Sequence, residues 1–185
     1  MKIENVLVRA KPHYCVPAIL ETTFKYFGID NFTQDDIAQY FTIHIPSTSD
    51  QNPPNVVIDD NPRNWGIKLD ISSLNNFFQK ISVPLKEEYN SIFRMADEFG
   101  LEDKLDNILQ KGHVAICGYN HSALYGNNKD EYGHVSIVVS LNCTTHKVLL
   151  ADPGPVGYGL KEVKIEDLFF AIKRAQDGVW DIYKE

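Results

Sequence analysis

The chain has 185 residues, of which 43% are hydrophobic, and it carries a formal net charge of -7. This length and apolar content are enough for one core, so we expect a single domain over residues 1–185. Because the Lys and Arg residues are scattered through an acidic chain, we expect neither nucleic acid nor an anionic membrane as a partner, and a cationic partner fits better.

Targeting and redox signals are few. No apolar run approaches the roughly 20 residues of a membrane-spanning helix. The segment from Met1 to Ala10 lacks the layout of a signal peptide, so we expect a cytoplasmic protein, or one exported without a cleavable signal. Cys15, Cys117 and Cys143 are too few and too widely spaced for a disulfide framework or a CxxC metal site. We therefore expect free thiols, no metal and no cofactor.

The first predicted helix begins at Cys15. Apolar side chains then recur at spacings of three and four residues, which places them on one buried helix face. They are Val16, Ile19, Leu20, Phe24 and Phe27. A second helix is predicted after Gly28, with Thr33 as its N-cap and acidic residues in its first turn.

Less regular structure is predicted in the middle of the chain. From His44 to Trp65 the sequence is rich in Pro, Asn, Asp and Ser, which disfavours regular structure and predicts a long functional or mobile loop. The following segment "GIKLDISS" alternates like a short strand. Ser72 or Ser73 is then the predicted N-cap of a short helix that continues to Phe78.

The second half of the chain changes from helix to sheet. More polar helical segments are predicted at Lys86–Gly100 and Leu101–Lys111. After Gly112, β-branched and apolar runs separated by turn-rich segments predict an antiparallel sheet. The runs are "HVAICGY", "HVSIVVSLN", "KVLLADP" and "GVWDIYK", with the helix "IEDLFFAIKRA" before the last one. Helices first and sheet second predict an α+β fold with a helical layer packed on the sheet.

Three residues in these elements form a candidate site for nucleophilic catalysis. A cysteine nucleophile needs a helix N-terminus and an imidazole, and the imidazole needs a third group to orient it. Cys15 begins the first helix, His134 begins one strand, and Asp152 ends the next. The short turn between these strands predicts that they pair, which can bring His134 and Asp152 together. Each residue alone would be assigned a structural role, but together they favour a Cys-His-Asp triad.

The same segments resemble a known family. "YCVPAILETTFKYFGI", "TQDDIAQYF", "LQKGHVAICGY", "YGHVSIVVSLN" and "VLLADPGP" are similar to the papain-like cysteine peptidases of the double-glycine leader type, the processing domains of bacteriocin exporters, and to their stand-alone relatives. The resemblance covers most of the chain outside the loop at 44–64. It implies a papain-like fold in which the nucleophile helix packs on an antiparallel sheet, and acyl transfer as the chemistry. By position, Cys15 is then the nucleophile, His134 the base and acid, and Asp152 the orienting group.

Two positions depart from the family pattern. Val16 follows the cysteine where the family has Gly, and Arg9 occupies the position where the family has an oxyanion-binding Gln. The backbone N–H of Cys15 is one oxyanion donor, and we expect Arg9, Lys11 or His13 to supply the second. Loss of one donor slows such an enzyme about a hundredfold or more. A domain retained only for binding would show the same loss.

The sequence thus leaves alternative functions open. The leading one is a cysteine-dependent enzyme that acts on a peptide or amide bond of a peptide or protein substrate, by hydrolysis or by transfer. The alternative is an inactive papain-like domain that binds a peptide or protein partner in the same groove, using the loop at 44–64. An effector secreted without a signal is a third possibility, for which no sequence feature speaks. The oligomeric state is not indicated.

Other candidates have simpler explanations. A metal site from His13, His121 and His134 is disfavoured because their spacing matches no zinc pattern. Trp65 and Trp180 could line a cleft, but core packing is the expected role of each.

Overall fold

The computed structural model describes residues 2–69, 73–126, 132–155 and 157–185. In these ranges the α-helices are α1 (Cys15–Tyr26), α2 (Gln34–Ala38), α3 (Ser73–Lys80), α4 (Glu98–Gln110), α5 (His121–Tyr125) and α6 (Ile165–Ala175). The strands are β1 (Ile43–Ile45), β2 (Val56–Ile58), β3 (Leu85–Ser91), β4 (Val114–Asn120), β5 (Gly133–Asn142), β6 (Lys147–Asp152), β7 (Gly159–Lys164) and β8 (Gly178–Lys184). No helix in the described ranges is long and apolar enough to cross a membrane.

Six of these strands form one antiparallel sheet in the order β3-β8-β4-β5-β6-β7. The four predicted strands become β4, β5, β6 and β8, so the predicted antiparallel sheet is confirmed. Strand β7 was not predicted, because its side chains alternate between exposed and half-buried at the sheet edge and carry no apolar run.

Helices cover both faces of the sheet. On one face, Phe24 of α1 and Phe78 of α3 pack in a cluster with Ile116 of β4. On the other face, Leu105 of α4 and Ile172 of α6 pack against residues that include Cys117 and Val138. The α+β class and the packing of the Cys15 helix on the sheet are confirmed. The second helical layer explains why β4 is apolar along almost its whole length, since both of its faces are buried.

The N-terminal helices match their predictions. Helix α1 begins at Cys15, and most of its side chains are buried. Thr33 caps α2 in a capping box with Asp36, as expected for a threonine followed by an acid three residues later. Glu21 joins the two helices, because it is buried in α1 and accepts a hydrogen bond from the Gln34 N–H at 2.6 Å.

The prediction that His44–Trp65 lacks regular structure was only partly correct. Much of the segment is irregular, but β1 extends into its start and pairs in parallel with β2, with His44 opposite Val57. The β-branched run of β2 supplies a strand even though Pro and Asn surround it. Trp65 follows a 3-10 turn at Pro62–Asn64, and its indole N–H donates to the Asp59 carbonyl at 2.8 Å. The segment is therefore folded against the domain.

Two further predictions need correction. The predicted strand at 66–73 is reduced, in its described part, to a single bridge between Gly66 and His44. Ser72 lies outside the described residues, and α3 begins at Ser73. The helix predicted at Lys86–Gly100 is instead strand β3 followed by a 3-10 turn and the start of α4. Its charged composition resembles a helix, but its side chains alternate because β3 pairs only with β8 at the sheet edge.

Candidate active site

Cys15 occupies the N-terminus of α1 and is partly exposed. The N-cap residue, Tyr14, contributes no side-chain hydrogen bond, so the first N–H groups of the helix are not satisfied by a capping side chain. A helix N-terminus favours negative charge, and this stabilises a thiolate or an oxyanion placed there. The periodicity of the buried face fixes α1 against β5 and so fixes the position of the sulfur.

His134 and Asp152 meet at one end of two neighbouring strands. Because β5 and β6 are antiparallel, the start of β5 and the end of β6 lie side by side. Nε2 of His134 and Oδ1 of Asp152 are 2.8 Å apart, and both residues are buried. The same Oδ1 accepts the N–H of Gly154 at 2.8 Å, which holds the carboxylate in place.

The ring of His134 also interacts with Cys15. Burial alone would lower the pKa of His134, but hydrogen bonds and electrostatic interactions with Asp152 and Cys15 raise it to about 9. These interactions favour the protonated imidazole. Since Nε2 faces Asp152, Nδ1 is the nitrogen available to the sulfur. The structure thus brings together all three residues of the predicted triad.

Aromatic rings surround this histidine. Tyr119, His121 and Tyr132 stand nearly perpendicular to the His134 ring, with centroids 5.6, 5.5 and 6.5 Å away. They restrict rotation of the imidazole and keep water away from its buried side. His121 belongs to no group of three or more His, Cys, Asp or Glu that could hold a metal ion within the described residues.

A tyrosine hydroxyl lies behind the carboxylate of Asp152. Oδ2 of Asp152 and the hydroxyl of Tyr125 are both buried, and no described residue gives either atom a well-formed hydrogen bond. The hydroxyl is nevertheless close enough to Tyr119 and Asp152 to interact with both. Burial and the charge of Asp152 raise the pKa of Tyr125 to about 12. Tyr119 in turn hydrogen-bonds to Ser136 Oγ at 2.8 Å.

Cys15 and His134 line a cleft that has two parts, and both residues border each part. The larger part has a volume of about 770 Å³, and Val16, Tyr89, Asn120, Asp177 and Trp180 are among its lining residues. The smaller part has a volume of about 260 Å³ and is lined by residues that include Pro12, His13, Tyr132 and Pro155. Trp65 borders both parts, so the segment predicted as a loop supplies a wall of the cleft.

The three predicted oxyanion donors lie in different places. His13 borders the smaller part of the cleft beside Cys15, and its ring contacts Trp65 edge-on at 5.7 Å. Burial lowers the pKa of His13, so it is neutral at pH 7 and offers one ring N–H. The Arg9 guanidinium lies 5.8 Å above the ring of Tyr158, and Lys11 pairs with Asp35 at 2.7 Å. Neither Arg9 nor Lys11 is among the residues that line the cleft.

Several lining residues were not found from the sequence. Tyr89 was hidden in the segment predicted as a helix, and Asp177 precedes a glycine, where an aspartate is expected to form a turn. The expected core role of Trp180 is correct in that it is buried, but it also lines the cleft. Tyr89 comes close to Asp177 and Trp180 because β3 pairs with β8, a strand distant in sequence.

The other cysteines differ from Cys15. Cys117 lies in β4 and is fully buried against the second helical layer. Burial raises the pKa of its thiol. Cys143 is exposed in the turn between β5 and β6, and partial desolvation with neighbouring acidic residues raises its pKa. Neither cysteine begins a helix, and within the described residues neither interacts with a histidine as Cys15 does.

Comparison with known proteins identifies the fold. No protein-family model and no curated protein matches the sequence. The chain is similar in structure to a candidate C39-like peptidase from Bacillus anthracis, with a TM-score of 0.61 and 12% sequence identity over 98% of this chain and 96% of that chain. At this identity the likeness concerns the fold. The fold is therefore that of a C39-like peptidase, as the sequence resemblance implied.

Proposed function

We propose that this protein is a cysteine peptidase-like enzyme that cleaves or transfers an acyl group at a peptide or amide bond. Cys15 is the nucleophile, His134 the acid and base, and Asp152 the group that orients the imidazole. The observation that carries the proposal is the buried 2.8 Å contact between His134 and Asp152. His134 and Cys15 both line the same cleft. Three residues far apart in sequence converge there.

The protonated ring of His134 sets the starting state of the reaction. An imidazolium beside a cysteine favours the thiolate form of the sulfur. The sulfur attacks the carbonyl carbon, and the carbonyl electrons move to the oxygen, giving a tetrahedral oxyanion. As the oxyanion collapses, the C–N bond breaks and the leaving amine takes the proton from His134. The products of this half-reaction are a thioester on Cys15 and a free amine.

The second half-reaction regenerates the thiolate. The neutral imidazole takes a proton from water or from an acceptor amine, which attacks the thioester carbonyl. The C–S bond then breaks, and the sulfur is again paired with imidazolium. Asp152 accepts the Nε2–H of the ring and keeps its orientation. Hydrolysis and transfer differ only in the acceptor.

The backbone N–H of Cys15 and a ring N–H of His13 are the proposed donors to the oxyanion. Both residues border the same part of the cleft, whereas Arg9 and Lys11 are held by other contacts. Donors placed before the reaction stabilise the developing charge without reorganisation. This choice reduces the three sequence candidates to one.

The test is the alkylation rate of each cysteine. Iodoacetamide is added to the folded protein in short pulses between pH 6 and 8, and the labelled peptides are quantified by mass spectrometry. We expect Cys15 to react at least about tenfold faster than Cys143 at pH 6, since imidazolium favours its thiolate. His134→Ala should remove this advantage, and Cys143→Ser serves as the matched control. A Cys15 that reacts no faster than the exposed Cys143 would contradict the proposal.

A binding domain without turnover is the second candidate. It is favoured by Arg9, which stands where the family has its oxyanion Gln and contacts Tyr158 instead of the cleft. A reactive Cys15 that takes the acyl group from a peptide thioester, releasing one equivalent of its thiol, but does not pass that group to water or an amine would support this candidate. Release of product at many equivalents per protein would support the enzyme.

A further inference from the structure

We propose that the larger part of the cleft selects a cationic group of the substrate, such as a Lys or Arg side chain, by means of Asp177, Tyr89 and Trp180. This inference names the substrate class of the site described above and rests on the proposed function. It starts from a partly buried carboxylate that borders the cleft and has no salt-bridge partner among the described residues.

Asp177 lies between α6 and β8, and it borders the cleft that contains Cys15 and His134. Its Oδ1 accepts the N–H of Gly178 at 2.9 Å, and its carboxylate also interacts with the hydroxyl of Tyr89. Over the described part of the chain, no Lys, Arg or His forms a salt bridge with it. A carboxylate taken out of water without a cation is costly to the fold.

The sheet makes room for this carboxylate. A Cβ atom on Gly118 of β4 would collide with Oδ2 of Asp177 and would come within 3.0 Å of the Trp180 ring. Glycine in the middle of a strand weakens the strand and marks a close approach by another group. The group here is the carboxylate of Asp177. Burial raises its pKa to about 6, so it is largely ionised at neutral pH.

Two aromatic rings complete the arrangement. The centroids of Tyr89 on β3 and Trp180 on β8 are 5.0 Å apart, and both residues line the cleft beside Asp177. A carboxylate that borders a cleft together with Tyr and Trp rings is a chemistry that attracts ammonium and guanidinium groups, since aromatic faces carry partial negative charge.

Basic residues also border this part of the cleft. Arg63, Lys68 and Arg174 line it, and all three are exposed. Lys68 donates to Asn64 Oδ1 at 2.6 Å. These exposed side chains would favour an acidic substrate, which is the rival outcome of the test. Asp177 is less exposed than any of them, so its charge is screened less by water.

The first experiment measures how charge affects the labelling of Cys15. Peptidyl acyloxymethyl ketones that differ only in Lys, norleucine or Glu are tested at successive positions before the reactive carbonyl, and the rate is followed by intact mass. We expect Lys to exceed norleucine at least about tenfold at one position. Asp177→Asn should reduce the Lys rate to the level of norleucine. Equal rates for Lys and norleucine, a faster Glu probe, or an unchanged preference in Asp177→Asn would overturn the proposal.

Controls separate local charge from net charge and from folding. Glu88→Gln removes one negative charge from the same strand as Tyr89, but Glu88 does not line the cleft. It should keep the Lys preference. Because Asp177 is buried at a cost, Asp177→Asn should melt at a higher temperature than the wild type at pH 7. A lower melting temperature would indicate that Asp177 has a structural role.

The second experiment does not depend on catalysis. Cys15→Ala protein is titrated with N-acetyl-lysinamide and with N-acetyl-norleucinamide, and binding is followed by ligand-detected NMR. We expect the Cys15→Ala protein to bind the lysine compound more tightly than the norleucine compound. If the double variant Cys15→Ala, Asp177→Asn loses this difference, the inference is supported even when Cys15 proves unreactive. Equal binding overturns the inference, and a reactive Cys15 then still supports the proposed function.

Discussion

Two buried His-Asp pairs in this molecule have the same contact distance but different surroundings. His134 and Asp152 are 2.8 Å apart, and so are His113 and Asp181. The first pair has side-chain exposures of 4% and 0%, and the second has 24% and 4%. Of the two pairs, only the first has a histidine that interacts with a cysteine and lines the cleft. The distance between an imidazole and a carboxylate therefore does not by itself distinguish a catalytic pair from a structural one.

The second pair has a structural explanation. His113 precedes β4, its ring stacks on Tyr183 of β8 with centroids 4.8 Å apart, and Asp181 is buried in β8. The pair thus joins two neighbouring strands of the sheet. What differs between the pairs is the third neighbour, which is a sulfur at a helix N-terminus in one case and an aromatic ring in the other.

The largest expected difference between the pairs is in the histidines. His134→Ala should reduce turnover of a peptide substrate by about a thousandfold or more, because the acid and base is lost. His113→Ala should stay within about threefold of the wild type. Both rates are measured on proteins whose folding is checked by circular dichroism. Equal losses in the two variants would mean that the His134 pair has no special role.

The aspartates should differ in the kind of effect. Asp152→Asn keeps the shape of the side chain but no longer supplies the charge that orients the ring, and we expect turnover to fall about a hundredfold to ten-thousandfold. Asp181→Ala should leave turnover nearly unchanged and lower the free energy of unfolding by about 1 kcal/mol, since the hydrogen bond to His113 is removed. Urea titration measures the second effect. A large loss of turnover in Asp181→Ala at full folding would contradict the assignment.

The candidate site could be predicted from the sequence only where the information is local. Cys15 is recognisable because the helix periodicity begins directly after it, and the contact of His134 with Asp152 follows from a short turn between adjacent antiparallel strands. Tyr89 and Asp177 depend on the pairing of β3 with β8, about ninety residues apart, and no local pattern reports such pairing. Strands β3 and β7 were missed because they lie at the edges of the sheet, where no apolar run is needed. The catalytic roles of Cys15, His134 and Asp152 remain predictions.

The pH dependence of stability gives a smaller but specific test of the first pair. The pKa of His134 is raised to about 9 in the folded protein, above the ordinary value of 6.5. The protonated ring therefore stabilises the fold below pH 6.5, and this contribution is lost as the pH rises from 6.5 to 9. The loss is on the order of 1–3 kcal/mol. Thermal melts should show this decline in the wild type and lack it in His134→Gln. A wild-type profile that matches His134→Gln would contradict the raised pKa.

The smallest expected effect concerns what lies behind the carboxylate of the first pair. The Tyr125 hydroxyl interacts with Asp152, so Tyr125→Phe removes a contact that helps hold the carboxylate against His134. One such interaction contributes about 1 kcal/mol, and turnover should fall about fivefold. The free energy of unfolding should change little, because removal of the hydroxyl also removes a buried polar group that has no well-formed hydrogen bond within the described residues, and this offsets the lost interaction. Tyr119→Phe is the matched control: it breaks the 2.8 Å bond to Ser136 and should cost about 1 kcal/mol in unfolding free energy with a weaker effect on turnover. If Tyr119→Phe slowed turnover more than Tyr125→Phe, the carboxylate would be oriented by the wider hydroxyl network, and the difference between the two His-Asp pairs would extend beyond their immediate neighbours.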